Sequence, residues 1–230
     1  MNYGYLDPAE IKITLEKLRF RINERFPDSG LYKISGECLS LVQEASQRAS
    51  WVKKANIPLR VFVGTLLIIL LLLAADMLLP LNLNPHSDKL SEFFQMLEAG
   101  ANIALLLGGA LYFLCTYEQR IKRERVLRTV HSIRSLAHII DMHQLTKDPS
   151  RLSDSFKTTT SSPVVDYTAL ELQRYLDYCS ELLAILGKVA ALYAQHLYDP
   201  VVLDAVDDIE GLTNGMSSKI WQKIIMLERP

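Results

Sequence analysis

Two groups of side chains in this chain have the type and spacing to do chemistry. Asp76 is the one ionisable residue deep in a long apolar run, and Glu98 and Asn102 lie near the same level on a second run. A carboxylate at such a depth is costly unless it faces water, protein or a cation. In an oligomer, Asp76 or Glu98 could therefore form an acidic ring at the outer mouth of a cation pore. The competing reading is an interfacial side chain that reaches back to water or hydrogen-bonds Asn102.

The second group is His131, His138 and Asp141, at spacings of seven and three on one flank of a long helical stretch, with His143 just beyond. Imidazole and carboxylate together could hold a divalent metal or titrate near neutral pH. The spacing is not that of a helical zinc-protease motif, and helix-surface histidines with carboxylate or backbone partners are the commoner explanation. A third cluster, Asp199, Asp204, Asp207, Asp208 and Glu210, gathers where a helix is expected to begin. Negative charge is favoured at that end, which explains Asp199. A patch for a cation or a basic partner is the alternative for the others, which lack a calcium-loop spacing.

These residues depend on two apolar blocks for their setting. Ile57–Leu81 and Ala99–Tyr117 supply 25 and 19 residues, against the roughly 20 that a helix needs to cross a hydrocarbon core. The centre of the first block, Leu66 to Leu73, is apolar on every face, whereas a core helix of a soluble protein shows a polar stripe. The chain is thus expected to cross a bilayer twice. Lys53, Lys54 and Arg60 precede the first block, Arg120, Lys122, Arg123, Arg125 and Arg128 follow the second, and the connector 82–94 contains only Lys89. Basic residues stay on the cytoplasmic side, so both termini are expected in the cytoplasm, with the cell's inner (plasma) membrane as the location. Met1 to Trp51 is too polar for a cleavable leader, and the first block reads as a signal-anchor.

Along the second block Gly100, Ala104 and Gly108 recur every four residues, leaving a face with little bulk. Small residues let membrane helices approach closely, so this face is expected to pack on the first block or on another copy of the chain. Self-association follows from the same argument.

The flanks read as helices. Asp7-Pro8-Ala9-Glu10 has the composition of a capped helix start, and Ile11, Leu15, Leu18, Ile22 and Phe26 follow at helical spacing up to Pro27-Asp28-Ser29-Gly30. A second helix carries Leu31, Ile34, Cys38, Leu41, Ala45 and Val52 inward. No Pro or Gly occurs between Ala110 and Thr146, so the second span is expected to continue as a stalk, with Val126, Val130, Ile133, Ala137 and Ile140 on its seam and Leu136 and Ile139 widening it. Thr168 and Glu171 have capping-box spacing ahead of Leu172, Tyr175, Cys179, Leu182, Leu186, Val189 and Tyr193, in a helix running to about Leu197. Asp199-Pro200 opens a last helix in which Gly211 and Gly215 permit close contact or divide it. Cys38, Cys115 and Cys179 are isolated and read as buried thiols.

The fold class that results is an all-α membrane protein, a two-helix transmembrane hairpin with a cytosolic helical bundle formed by both flanks. Its parts are an N-terminal hairpin (1–56), the transmembrane hairpin (57–117), an extension of the second span (118–146), a flexible Ser/Thr-rich linker (147–167) and C-terminal helices (168–230). A net charge of −1 without a clustered basic excess argues against nucleic acid as a partner. No phosphate-binding glycine loop, nucleophile elbow or catalytic cysteine context occurs, so no enzymatic activity and no cofactor are expected. The partners expected are lipid, further copies of the chain and a cytosolic protein. The role expected is partner binding, scaffolding or signalling, and the alternative is an oligomeric ion channel.

Overall fold

The structure, a computed structural model, describes residues 5–53, 57–78, 90–152, 157, 159–162 and 167–228. The described residues are all-α, with no strand among them. Six α-helices occur: α1 (Pro8–Arg25), α2 (Gly30–Lys53), α3 (Ile57–Leu78), α4 (Leu90–Leu145), α5 (Ala169–Ala194) and α6 (Pro200–Glu228), with a 3-10 turn at Pro149–Leu152. They divide into a unit of the two flanks, Met1–Lys53 with Arg123–Pro230, and a unit of Lys54–Lys122.

In the flanking unit the helix starts have the expected chemistry. Asp7 accepts from the Ala9 amide ahead of Pro8, and Thr168 and Glu171 complete a reciprocal capping box. The turn between α1 and α2 holds its left-handed residue at Asp28, with φ of 56°, a conformation that Asp tolerates better than most side chains. Gly30 has a different reason to be small: a Cβ there would lie 2.3 Å from Cε1 of His143.

The core is one apolar cluster. Ile11, Leu15, Leu18, Ile22 and Phe26 are buried from α1, and Leu31, Ile34, Cys38, Leu41 and Ala45 from α2. Val126, Val130, Ile133, Ala137 and Ile140 form the buried face of α4, as their alternating spacing of four and three requires. Ile139 stands outside that face, 39% exposed. Helix α5 is the central element, buried on most of its surface from Leu172 to Tyr193, and it ends at Ala194, not Leu197. It packs most closely on α6 where Gly187 faces Thr213, whose Oγ1 is 3.1 Å from the position of a Cβ at Gly187. Gly211 and Gly215 do neither of the things expected of them. Helix α6 runs unbroken through both, and no described atom lies within 4 Å of a Cβ at either.

Two further boundaries differ from the sequence reading. Helix α4 begins at Leu90, inside the expected connector 82–94, whose first part lies outside the described residues. The tract 147–167 is not a free linker throughout. Pro149 is buried in the 3-10 turn, which packs on α5 and α6. Lys147 places its ammonium over the Tyr167 ring at 4.3 Å and the Tyr175 ring at 5.3 Å, and Phe26 meets both tyrosines edge-on.

In the other unit, α3 is 22 residues long, about 33 Å at 1.5 Å per residue. Helix α4 has an apolar stretch beginning at Gly100 that is long and apolar enough to cross a membrane, and none of it is buried.

Candidate functional site

Glu98 and Asn102 are exposed on α4, and so are Ala104 and Gly108, with Gly100 half-covered. No described atom lies within 4 Å of a Cβ built at Gly100 or Gly108. At 100° per residue the Glu98/Asn102 pair sits about 140° round the helix from the Gly100/Ala104/Gly108 row. The polar pair and the small-residue row are therefore separate faces. The side chains of Asp76 and Cys115 lie outside the described residues.

The hydroxyls in these two helices satisfy themselves locally. Thr65 Oγ1 donates to the Val61 carbonyl at 2.9 Å and Thr116 Oγ1 to the Tyr112 carbonyl at 2.9 Å. Such back-bonding removes a polar group's need for outside partners, which hydrocarbon requires of any hydroxyl placed in it.

The proposed metal group does not assemble. Among the described residues no set of three or more His, Cys, Asp or Glu side chains could hold an ion. His131 and His138 are exposed and, seven residues apart, sit about 10 Å apart along the axis, too far to share one ion. The Asp141 carboxylate is engaged by Gln144, whose Nε2 donates to it at 2.7 Å.

The charged chemistry of the flanking unit concentrates instead on the seam between α4 and α6. Arg123 donates to Asp199 Oδ2 from Nε at 2.8 Å and from Nη2 at 2.6 Å. Arg134 reaches Asp208 at 3.2 Å. Lys223 Nζ donates to the Gln144 main-chain carbonyl at 2.8 Å and to its Oε1 at 2.6 Å. The partners are 76, 74 and 79 residues apart, and a near-constant separation means that α6 runs parallel to α4 in a fixed register. The chain finds no match among family models, curated proteins or solved structures.

The three contacts differ in setting. Asp199 keeps only 7% of its side chain exposed, and its other oxygen, Oδ1, accepts from the amides of Val201 and Val202. The same carboxylate thus begins α6 and ties it to α4. Arg134 and Asp208 are 43% and 70% exposed, so solvent screens their attraction. Lys223 is pushed below the usual lysine range by burial, a trend that Asp148, Asp141 and Cys179 oppose. Close by, the Cys179 thiol is pushed up to about 12 by burial, and His143 is lowered by burial and by Lys147.

Of the acidic run noticed in the sequence, the seam uses Asp199 and Asp208. Arg123, Arg134, Gln144 and Lys223 carried no signal of their own, because the register that pairs them exists only once α5 has turned the chain back. A groove of about 660 Å³ lies between the start of α1 and α5, lined by Tyr5, Leu6, Ile11 and Ile185 together with Glu10 and Lys188.

Proposed function

We propose that this is an integral membrane protein that crosses the bilayer twice, through residues 57–81 and 99–117, as an antiparallel hairpin. Both termini lie in the cytoplasm, the membrane is the cell's inner (plasma) membrane, and copies of the chain associate through the Gly100/Ala104/Gly108 row. The helical unit of the two flanks binds a cytosolic partner and serves as a scaffold or signalling element.

One observation carries the membrane reading. Leu105, Leu106, Tyr112 and Phe113 are 77, 71, 74 and 52% exposed on α4, and Val61, Phe62, Ile68 and Leu72 are 60–64% exposed on α3. A run of large apolar groups left uncovered along each of two helices is stable in lipid and not in water.

The test uses vesicles of known orientation with tags on both ends of the chain, and the mass of detergent-extracted protein. The reading expects both tags on the cytoplasmic side and a mass that is a multiple of the single chain. Tags on opposite sides overturn the hairpin, and a single-chain mass overturns the association. Ion flux in liposomes that is abolished by Glu98→Gln would replace the scaffold reading with the channel.

A further inference from the structure

We propose that the Arg123–Asp199 pair is a relay through which movement of the membrane helix α4 reaches α6. The inference rests on the membrane reading above and adds to it the device by which the flanking unit responds.

Position comes first. Arg123 lies six residues beyond Tyr117, the end of the apolar stretch, on a helix that is unbroken from Leu90 to Leu145. No Pro or Gly separates the two, so the helix has no residue at which a kink would absorb a tilt or rotation. A displacement of the apolar stretch therefore arrives at Arg123.

The chemistry of the contact comes next. Both Arg123 bonds end on one oxygen of Asp199, and the other oxygen caps α6 at Val201 and Val202. A carboxylate cannot follow a moving guanidinium with Oδ2 and keep Oδ1 in line with two amides, because the oxygens share one rigid plane. Movement at Arg123 thus either drags the first turn of α6 or uncaps it. An ordinary surface ion pair, such as the screened Arg134–Asp208 pair, would let go instead.

The remaining geometry directs the response. The far end of α6 is held by Lys223 on Gln144, and its middle is set against α5 at Gly187 and Thr213. Exposed apolar groups lie at both ends of α6: Val201 and Leu203 are 46% and 38% exposed in the first turns, with Tyr198 just before them 88% exposed, and Trp221, Ile225 and Met226 are 54, 46 and 54% exposed at the far end. Val202 and Val206 hold the inner side of these turns in the core and Asp199 caps them, so the first turn of α6 is where a displaced Asp199 is read out.

The full chain is placed in nanodiscs of short-chain and of long-chain phosphatidylcholine, because a change of hydrophobic thickness makes a spanning helix tilt or shift. Amide hydrogen exchange is followed at 201–206 in α6, with 182–190 in α5 as the internal reference. In the wild-type chain, exchange at 201–206 differs between the two discs by about threefold or more, while the α5 amides stay the same. In Arg123→Gln the thickness dependence disappears. Asp199→Asn, which retains a good capping side chain, loses it too. Exchange at 201–206 that ignores thickness in the wild type overturns the relay, as does a thickness dependence that survives Arg123→Gln. A chain that will not enter either disc overturns the membrane reading itself, a result distinct from both.

Discussion

Lys223 of α6 closes the carboxyl end of α4, with its ammonium shared between the main-chain carbonyl and the side-chain oxygen of Gln144. The last carbonyls of a helix have no partner within it, and here the Gln144 carbonyl accepts both from the Lys147 amide just beyond the helix and from a helix that starts 55 residues later (Pro200 against Leu145). Gln144 in turn donates to Asp141, so the contact fixes the last turn of α4 from two sides.

Replacing Lys223 by Met removes this donor from buried Gln144, whose carbonyl keeps only the Lys147 amide. The cost is on the order of 1 kcal/mol, less than for a fully buried charged bond because the site is partly solvated. Lys223→Gln keeps a donor without the charge that burial disfavours, and it loses less. Thermal unfolding in detergent checks the order: wild type, then Lys223→Gln, then Lys223→Met.

The glycines separate by what surrounds them. Gly211 and Gly215 are exposed and open in the middle of α6, so Ala at either raises stability by about 0.5–1 kcal/mol through helix propensity. Gly30→Ala goes the other way, because the new methyl would occupy the place of the His143 ring. The same unfolding assay reads both signs, and a stabilising Gly30→Ala would show that the ring moves aside freely.

Acid acts on His143. Its pKa in the folded chain lies below the ordinary histidine value of 6.5, first through burial and then through Lys147. Between the folded value and 6.5 the unfolded chain binds more protons, so stability falls as pH falls through that window and levels off below the folded value. Protonation would set a cation near Lys147 and against Gly30 at the start of α2, whose dipole end is positive. The expected result is a melting temperature that falls as the pH is lowered through 6.5, with a smaller fall in His143→Gln.

The thiols of Cys38 and Cys179 are buried and each pushed up to about 12, chiefly by burial. A thiol reagent at neutral pH attacks thiolate. Both therefore stay unlabelled in the folded protein and react when denaturant opens the core, and labelling of either without unfolding would contradict the packing described.

Much of the flanking unit was legible because period and punctuation agree there. Asp7-Pro8, Thr168 with Glu171 and Asp199-Pro200 mark three helix starts, and the apolar positions between them fall in the core. The reading went astray where a residue's purpose depends on something distant in sequence. Gly30 looks like part of a turn but is small because of His143, 113 residues on, whereas Gly211 and Gly215 look structural and face open space. Tyr167 and Lys147 sit in a tract whose Ser/Thr content suggests a free linker, yet they stack together beside Phe26. His131 and His138 share a flank by sequence, but two helical turns separate them. The α4–α6 register belongs to the same class, since charges of opposite sign occur throughout the chain and only the fold selects Arg123 for Asp199.

The central claim is that lipid surrounds the apolar stretch of α4. It is tested by single cysteines placed at each position from 100 to 117, in a chain with Cys115 replaced by Ala, reconstituted in vesicles and treated with a water-soluble maleimide. Cys38 and Cys179 stay silent for the reason given above. The account predicts protection at every central position, including Leu105, Leu106 and Phe113, whichever way each faces, with labelling only towards the ends. Labelling that recurs every three to four residues, marking one wet face through the middle of the helix, would contradict it.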